Sequence, residues 1–432
     1  MGGGRTADPV TRHILVAPAG AHFSADAGSE DGWVYDIVTG VAAAEPDFRF
    51  TCVSEHTDGP APPRVHPVGI GRRRTEEIGG LLLPFRMARA ASMHCRLEEV
   101  DLMHHALPFA VGRSFSLLAA RAHRRGVPVV VGPVQTPLEW VGADEVGGQL
   151  GGGGRRPLRR AATVIARAVW PAAGAILAPL SGRTLRRADR VVVMAEPARL
   201  LVESTGVEPR RIEVIPPPAR VSASPPTQRA RRAGPLQLVT AGYLIERKAV
   251  ADVVAVVADL AASGADVVLE VAGDGPAAAG LREFARRHPS GGAIRFHGWL
   301  DPSALAALLR SADAYVSMSR AESWGRALGD ALASGLAVVT AANAGARAMA
   351  AMGAPLRQVP IGDRRCLADE LRGLCGTDRA VIAQEGDAGA RWAAAHIAAS
   401  VVSERWADVY RQAMDEGRRH TAVAPRAGGV RR

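Results

Sequence analysis

LQLVTAGYLIERKAV, residues 236–250, is the stretch that decides how this chain folds. Five apolar-rich residues of strand character run into Ala241-Gly242, where the pattern breaks, and beyond Lys248 an Ala- and Val-rich segment is long enough for a helix. Strand, turn and helix in that order form the unit of a parallel sheet, and the unit recurs. After residue 220 come LQLVTAGYL, DVVLEVAGDG, AIRFHGWL, AYVSMS and AVVTAA; before it come HILVAPAG, FRFTCVSEH, DLMHHALP, VPVVVGPVQ, DRVVVMA and RIEVIPP. Two βαβ blocks predict an α/β chain with two doubly wound, Rossmann-like domains. Between them PPPARVSASPPTQRARRAGP, rich in Pro, Ser and Arg, reads as an exposed connector. The expected division is a first domain over residues 1–217, a linker over 218–234, a second domain over 235–397 and a disordered tail over 417–432. Trp392, Trp406 and Tyr410 stand at helix-compatible spacing and read as packing residues.

The totals agree with this class. In 432 residues, 47% are hydrophobic but only 4% aromatic, so burial rests on Ala, Val and Leu, as where helices cover parallel strands. Cys52, Cys95, Cys366 and Cys375 show neither zinc spacing nor a disulfide framework, which fits a reducing, cytoplasmic compartment. MGGGRTADPV leads into HILVAPAG without a charged region, apolar core and cleavage site, so no signal peptide is expected. The most membrane-like stretch, residues 161–180, is interrupted by Arg167, Pro171, Gly174 and Pro179 and is not expected to span a bilayer.

The formal charge is +10, with arginines gathered at residues 72–74, 155–160, 183–190, 229–232 and in the tail. The clusters lie apart, stacking aromatics are few and no nucleic-acid-binding motif is present, so a solvated basic surface is the leading reading, anionic lipid the second, and nucleic acid is set aside. Gly147 opens GGQLGGGGRR, a loop followed by a basic, apolar segment through Leu185. That segment reads as a surface helix pair or as an interfacial membrane contact.

In open α/β sheets ligands bind beyond the carboxyl ends of the strands, and there one residue stands out. Of 53 basic residues a single one is lysine, Lys248, and Arg247 precedes it. An ammonium beside a guanidinium suits a diphosphate, one as a point charge and the other as a bidentate fork; the alternative is a surface pair. The second landmark is SRAESWGRALGDALASGLAVV, residues 319–339. Glu322 sits in the loop after AYVSMS, Trp324-Gly325 opens a helix, and Ser334-Gly335 closes it. The first amides of that helix, lacking intrahelical partners, suit an anionic or hydroxyl-rich ligand. Glu322 would reach sugar hydroxyls and Asp330 two ribose hydroxyls.

With these landmarks in order, followed between them by VAGDGP at Val271 and IRFHGWL at Ile294, the C-terminal half resembles glycosyltransferase family 4, retaining enzymes of the GT-B fold that use nucleotide sugars. The resemblance implies two Rossmann-like domains facing a central cleft, with a terminal helix, about residues 398–416, crossing back onto the first. It implies that Arg247 and Lys248 bind the donor diphosphate, with Gly242 and Gly273 in the same loops. The backbone around Trp299 would hold the nucleobase, Glu322 with the amides of Trp324 and Gly325 the donor sugar, and Asp330 the ribose. Two departures stand out: Asp330 replaces the usual glutamate, and Tyr243 stands where an arginine often follows the glycine.

The N-terminal half resembles the family more loosely, through ADAGSEDGW, DLMHHALP and VPVVVGPVQTP. Gly28 and Ser29, with Glu30, form either a phosphate-approaching loop or a plain surface turn. The family places a functional histidine in the second segment; alternation sends His104 and His105 to opposite faces, with a slight preference for His104 as the cleft-facing one. The implied reaction is transfer with retention from a UDP- or GDP-sugar, without a metal or other cofactor. The implied acceptor is a lipid-linked or cell-envelope glycan, met by an enzyme peripheral to the inner face of a membrane. Transfer to oxygen or sulfur of a small molecule, or a catalytically silent sugar-nucleotide-binding subunit, are the rival readings.

Overall fold

The computed structural model describes residues 11–25, 27, 29–71, 79–106, 109–112, 114–135, 177–221 and 234–423. Gly28, the Gly147 loop and most of the segment after it, and residues 222–233 of the connector lie outside them. Two compact units divide the described chain: residues 11–135, 177–215 and 402–423 form one, and residues 216–401 the other.

The first unit holds β1 (Arg12–Val16), β2 (His22–Phe23), β3 (Phe48–Ser54), β4 (His56–Thr57), β5 (Val65–Gly69), β6 (Leu102–His105), β7 (Val129–Val134), β8 (Arg190–Val193) and β9 (Ile212–Val214). Seven of them make one parallel sheet in the order β5-β3-β1-β6-β7-β8-β9, while β2 and β4 pair separately. Strands buried on both faces explain runs such as Val191, Val192 and Val193, all fully buried. On the helix Ser29–Ala44, the buried residues Val34, Ile37, Val38 and Val41 recur at helical spacing and turn one face to the core.

The last helix, Ala399–Val423, packs its Trp406 and Tyr410 into this unit with no exposure. It corrects the expected end near 416, since residues 417–423 are helical rather than a disordered tail. Gly417, where the disordered tail was expected to begin, is a packing glycine: a Cβ there would lie 2.4 Å from Pro128 Cγ. Its neighbour Glu416 accepts two hydrogen bonds from the Arg190 guanidinium, at 2.5 and 2.8 Å, which ties the helix to β8.

The second unit is a six-stranded parallel sheet built from β10 (Leu236–Ala241), β11 (Val267–Ala272), β12 (Ile294–Gly298), β13 (Ala314–Ser317), β14 (Ala337–Ala341) and β15 (Arg357–Val359). Its order is β12-β11-β10-β13-β14-β15. Val253, Val254 and Val257 of the helix Val250–Ala262 and Leu367, Leu371 and Leu374 of the helix Arg364–Cys375 are buried in one cluster with the strands. Five β-branched residues in the helix Val250–Ala262 show burial overriding helix propensity. Residues 218–221, expected to begin an exposed connector, lie against this unit instead: Pro218, Ala219 and Val221 are buried, and the Ala219 amide donates to the Ile397 carbonyl at 2.8 Å. Among the described residues no helix is long and apolar enough to cross a membrane.

Candidate functional site

The second sheet changes winding direction between β10 and β13, and the crevice beyond the carboxyl ends at such a switch is where doubly wound sheets bind ligands. Residues 242–248 leave β10 there and residues 318–325 leave β13, so topology brings the two landmarks of the sequence together.

The first loop is held by its neighbour. Gly242 takes φ +147°, the Leu244 amide donates to the Asp274 carbonyl at 2.8 Å, and the Ala277 amide donates back to Leu244 at 2.9 Å. This contact is the reason for the glycines of VAGDGP: a Cβ on Gly273 would meet the Gly242 carbonyl oxygen at 1.9 Å, and one on Gly275 the Leu244 oxygen at 2.7 Å. Gly273 therefore serves by letting two loops touch. A 3₁₀ turn, Glu246–Lys248, then presents the cations, and Ala249 closes it at φ +48° before the helix.

Lys248 Nζ donates to Glu322 Oε1 at 2.5 Å, and Arg247 Nη1 lies 3.5 Å from Glu322 Oε2 while donating to the Ala321 carbonyl at 2.5 Å. The Arg320 amide bonds the Arg247 carbonyl at 2.9 Å, which fastens the loops backbone to backbone. Burial acts to raise the Glu322 pKa, but Lys248 and Arg247 outweigh it, and the carboxyl is held below its ordinary range. The site is thus a nearly buried carboxylate between two cations, charged at neutral pH. Its position is fixed from beneath by two residues that sequence reading passed over. Asn343 caps the helix Ala344–Ala351 and donates to the Ser319 carbonyl at 2.9 Å. Gly345, whose amide bonds the Glu322 carbonyl at 2.9 Å, lies so near Trp324 that a Cβ would stand 2.3 Å from its carbonyl oxygen. The signal for Asn343 was its place just before an apolar helix; nothing local marks Gly345.

Gly325, at φ +93°, caps the helix Arg326–Ala333, while the Trp324 side chain is buried and leaves only its backbone for a ligand. Asp330 is buried on that helix, and its Oδ1 accepts the Arg220 amide at 2.7 Å. Trp299 follows Gly298 and is 63% exposed. The Gly298 carbonyl accepts the Gly273 amide at 2.7 Å, so the Trp299 backbone borders the same loops. Tyr315 lies below, its hydroxyl donating to the Ala241 carbonyl at 3.3 Å.

In the first unit β6 (Leu102–His105) ends on the two histidines, which make different contacts. His104 is fully buried, its Nε2 donating to the Gly132 carbonyl at 2.9 Å and its Nδ1 accepting from the Tyr410 hydroxyl at 2.9 Å, with the Trp406 ring 5.0 Å away. Burial drives its pKa down to about 3. It is a satisfied core histidine. His105, on the other face, packs edge-on against Phe109, burial lowers its pKa to about 4, and its buried Nδ1 has no hydrogen-bond partner. Ser29 is the first residue of its helix.

Residues 25–218 match the family described as "Glycosyl transferase 4-like domain", and residues 226–371 the one described as "Glycosyl transferases group 1". The chain belongs to the GT-B glycosyltransferases of the family 4 type. Glycogen synthase of Mycobacterium tuberculosis is 38% identical to this glycosyltransferase over 112 residues, 26% of the chain and 27% of the relative's own length. Two solved structures share the fold. Sucrose-phosphate synthase from Thermosynechococcus elongatus superimposes with TM-score 0.65 at 16% identity, covering 94% of this chain and 100% of that one. Anabaena HepE in complex with UDP gives 0.62 at 14% identity, covering 93% and 100%.

Proposed function

We propose that this chain transfers a sugar, with retention at the anomeric carbon, from a nucleoside diphosphate sugar to a lipid-linked or cell-envelope glycan at the inner face of a membrane. One observation carries the donor half: the only lysine in the chain and an adjacent arginine converge on Glu322 at the carboxyl-end crevice of the second sheet. In this reading the diphosphate oxygens take over Lys248 and Arg247, and Glu322, released from the ammonium, accepts donor-sugar hydroxyls. Negative charge growing on the departing diphosphate is met by cations already in place, aided by the amides of Trp324 and Gly325. Asp330 is assigned to the ribose; a carboxylate accepts up to about four hydrogen bonds, so it serves the Arg220 amide as well. The Trp299 backbone is assigned to the base. UDP is the first nucleotide to try, because HepE, of the same fold, was solved with it; GDP is the second. His105 is preferred to His104 as the acceptor-side histidine, since its ring nitrogen is free of protein partners. The reading needs no metal, the two cations supplying the charge.

Calorimetry of the full chain with UDP, GDP and ATP, on the wild type and on Lys248→Ala, tests it. Selective binding of one diphosphate that weakens in the variant is expected. No binding of any of the three by the wild type would remove the basis for a donor site.

A further inference from the structure

On the first unit, the helix Gly79–His94 buries Met87, Ala90 and Ala91, with Cys95 just beyond it, against the sheet and turns a different kind of face outward. Phe85 is 55% exposed and Met93 is 70% exposed. With Arg89 they stand at intervals of four residues, so they follow one another along a single side of the helix. Arg96, exposed just past the end of the helix, adds a further cation, and Arg121, Arg124 and Arg125 are exposed at the end of the adjoining helix Leu117–Arg124. Arg121 Nη1 donates to Ser92 Oγ at 2.9 Å, which places it beside the row. Among the described residues the acids beside this row are Glu98, already held by Arg125 at 2.6 Å, Glu99, and Asp101, whose Oδ2 accepts the His13 amide at 2.7 Å. Arg86 seats the helix, donating to the Gly71 carbonyl at 2.7 Å and to Glu55 at 3.3 Å, so the outward face is fixed rather than free to roll inward.

Exposed apolar side chains with an arginine between them on one side of a seated helix make an amphipathic face rather than a purely solvated one. A second copy of this chain is a poor occupant, because a two-fold contact through this face would set one arginine row against another. A nucleic acid would use the arginines but not Phe85 and Met93 together. A surface that is anionic outside and apolar just beneath satisfies both.

We infer that the outward face of the helix Gly79–His94, with Phe85 and Met93 inserted and Arg89, Arg96 and Arg121 above them, is the surface by which this glycosyltransferase docks on anionic phospholipid. The inference deepens the lipid-borne acceptor reading and rests on it for its purpose. The membrane contact read from the sequence in the residues after Gly147 lies mostly outside the described residues and is a separate expectation.

Co-sedimentation of the full chain with vesicles of phosphatidylcholine alone, and of phosphatidylcholine mixed equally with phosphatidylglycerol, tests the surface. Two double variants, Phe85→Ser/Met93→Ser and Arg89→Glu/Arg96→Glu, are compared with the wild type, and UDP titration and thermal midpoints serve as controls for folding. Binding is expected only to the anionic vesicles, weakened about tenfold or more in each variant, with nucleotide binding unchanged. Wild-type protein that ignores anionic vesicles, or variants that bind them as well as it does, would overturn the surface while leaving the donor site standing. Loss of a self-association in Phe85→Ser/Met93→Ser without any vesicle binding would overturn it in favour of a contact between copies. Failure of the wild type to bind nucleotide would instead strike the donor reading.

Discussion

Replacing Lys248 with alanine should separate its observed pairing with Glu322 from its proposed donor role. In the unliganded protein Nζ lies 2.5 Å from Glu322 Oε1, with 25% and 16% of the two side chains exposed. A charge-assisted hydrogen bond at such a half-shielded place contributes about 1.5–3 kcal/mol. On the proposed reading donor binding exchanges that partner for a phosphate oxygen, so the variant would lose a contact of similar size from the complex. The expected loss of UDP affinity is about tenfold to hundredfold. The second effect is on stability. Glu322 is held below its ordinary pKa only because the cations outweigh burial; without Lys248, Arg247 at 3.5 Å remains and burial gains the upper hand. In the wild type the depressed pKa contributes stability that is present above the unfolded value and lost as pH falls through the folded one. In Lys248→Ala that contribution shrinks or reverses, so the stability gap between the two proteins should be widest at neutral pH and narrow towards pH 4. Adding Glu322→Gln to Lys248→Ala should restore stability but not UDP binding. Denaturant titrations between pH 4 and 8, paired with calorimetry, read both effects. A variant that keeps UDP affinity within threefold and shows the same pH profile as the wild type would refute the pairing and the donor role together.

Gly273→Ala should be severe, since its Cβ would overlap the Gly242 carbonyl oxygen at 1.9 Å and φ is +138°; a loss of about 2–4 kcal/mol in chemical denaturation, with UDP binding abolished, is expected. His105→Leu should gain on the wild type in acid. A buried imidazole whose pKa falls from 6.5 to about 4 contributes stability that is complete above 6.5 and lost below it, about 2 kcal/mol by pH 5. The variant should lack that slope, and equal slopes would count against the burial of the ring. EDTA should leave sugar transfer unchanged; a loss of activity restored by one divalent cation would show that the cations of the chain are not sufficient.

What could be read from the sequence follows how far apart in the chain the deciding contacts lie. The βαβ alternation, the loop of Lys248 and the helix after Gly325 are written in local patterns, and each could be placed without knowing its neighbours. Lys248 and Glu322 are 74 residues apart, yet both lie at the carboxyl ends of strands, so topology alone makes them meet. The histidines show where that reasoning stops. Alternation along β6 says that His104 and His105 face opposite ways, but which ring has both nitrogens hydrogen-bonded depends on Tyr410, 306 residues onward, whose hydroxyl fills the remaining nitrogen of His104. The same long-range packing makes Gly417, the expected start of a disordered tail, a helical residue seated on Pro128. It also drew residues 218–221 out of the expected connector, through a carboxylate 110 residues away at Asp330. A glycine or an aspartate carries no mark of whether it ends an element, binds a ligand or makes room for a distant backbone. For Asp330 the proposed reading adds a ligand to the observed backbone contact, and substitution with asparagine separates them. An amide oxygen still accepts the Arg220 N–H, so the fold should hold, while the loss of charge should weaken nucleotide binding several-fold if the ribose is held there.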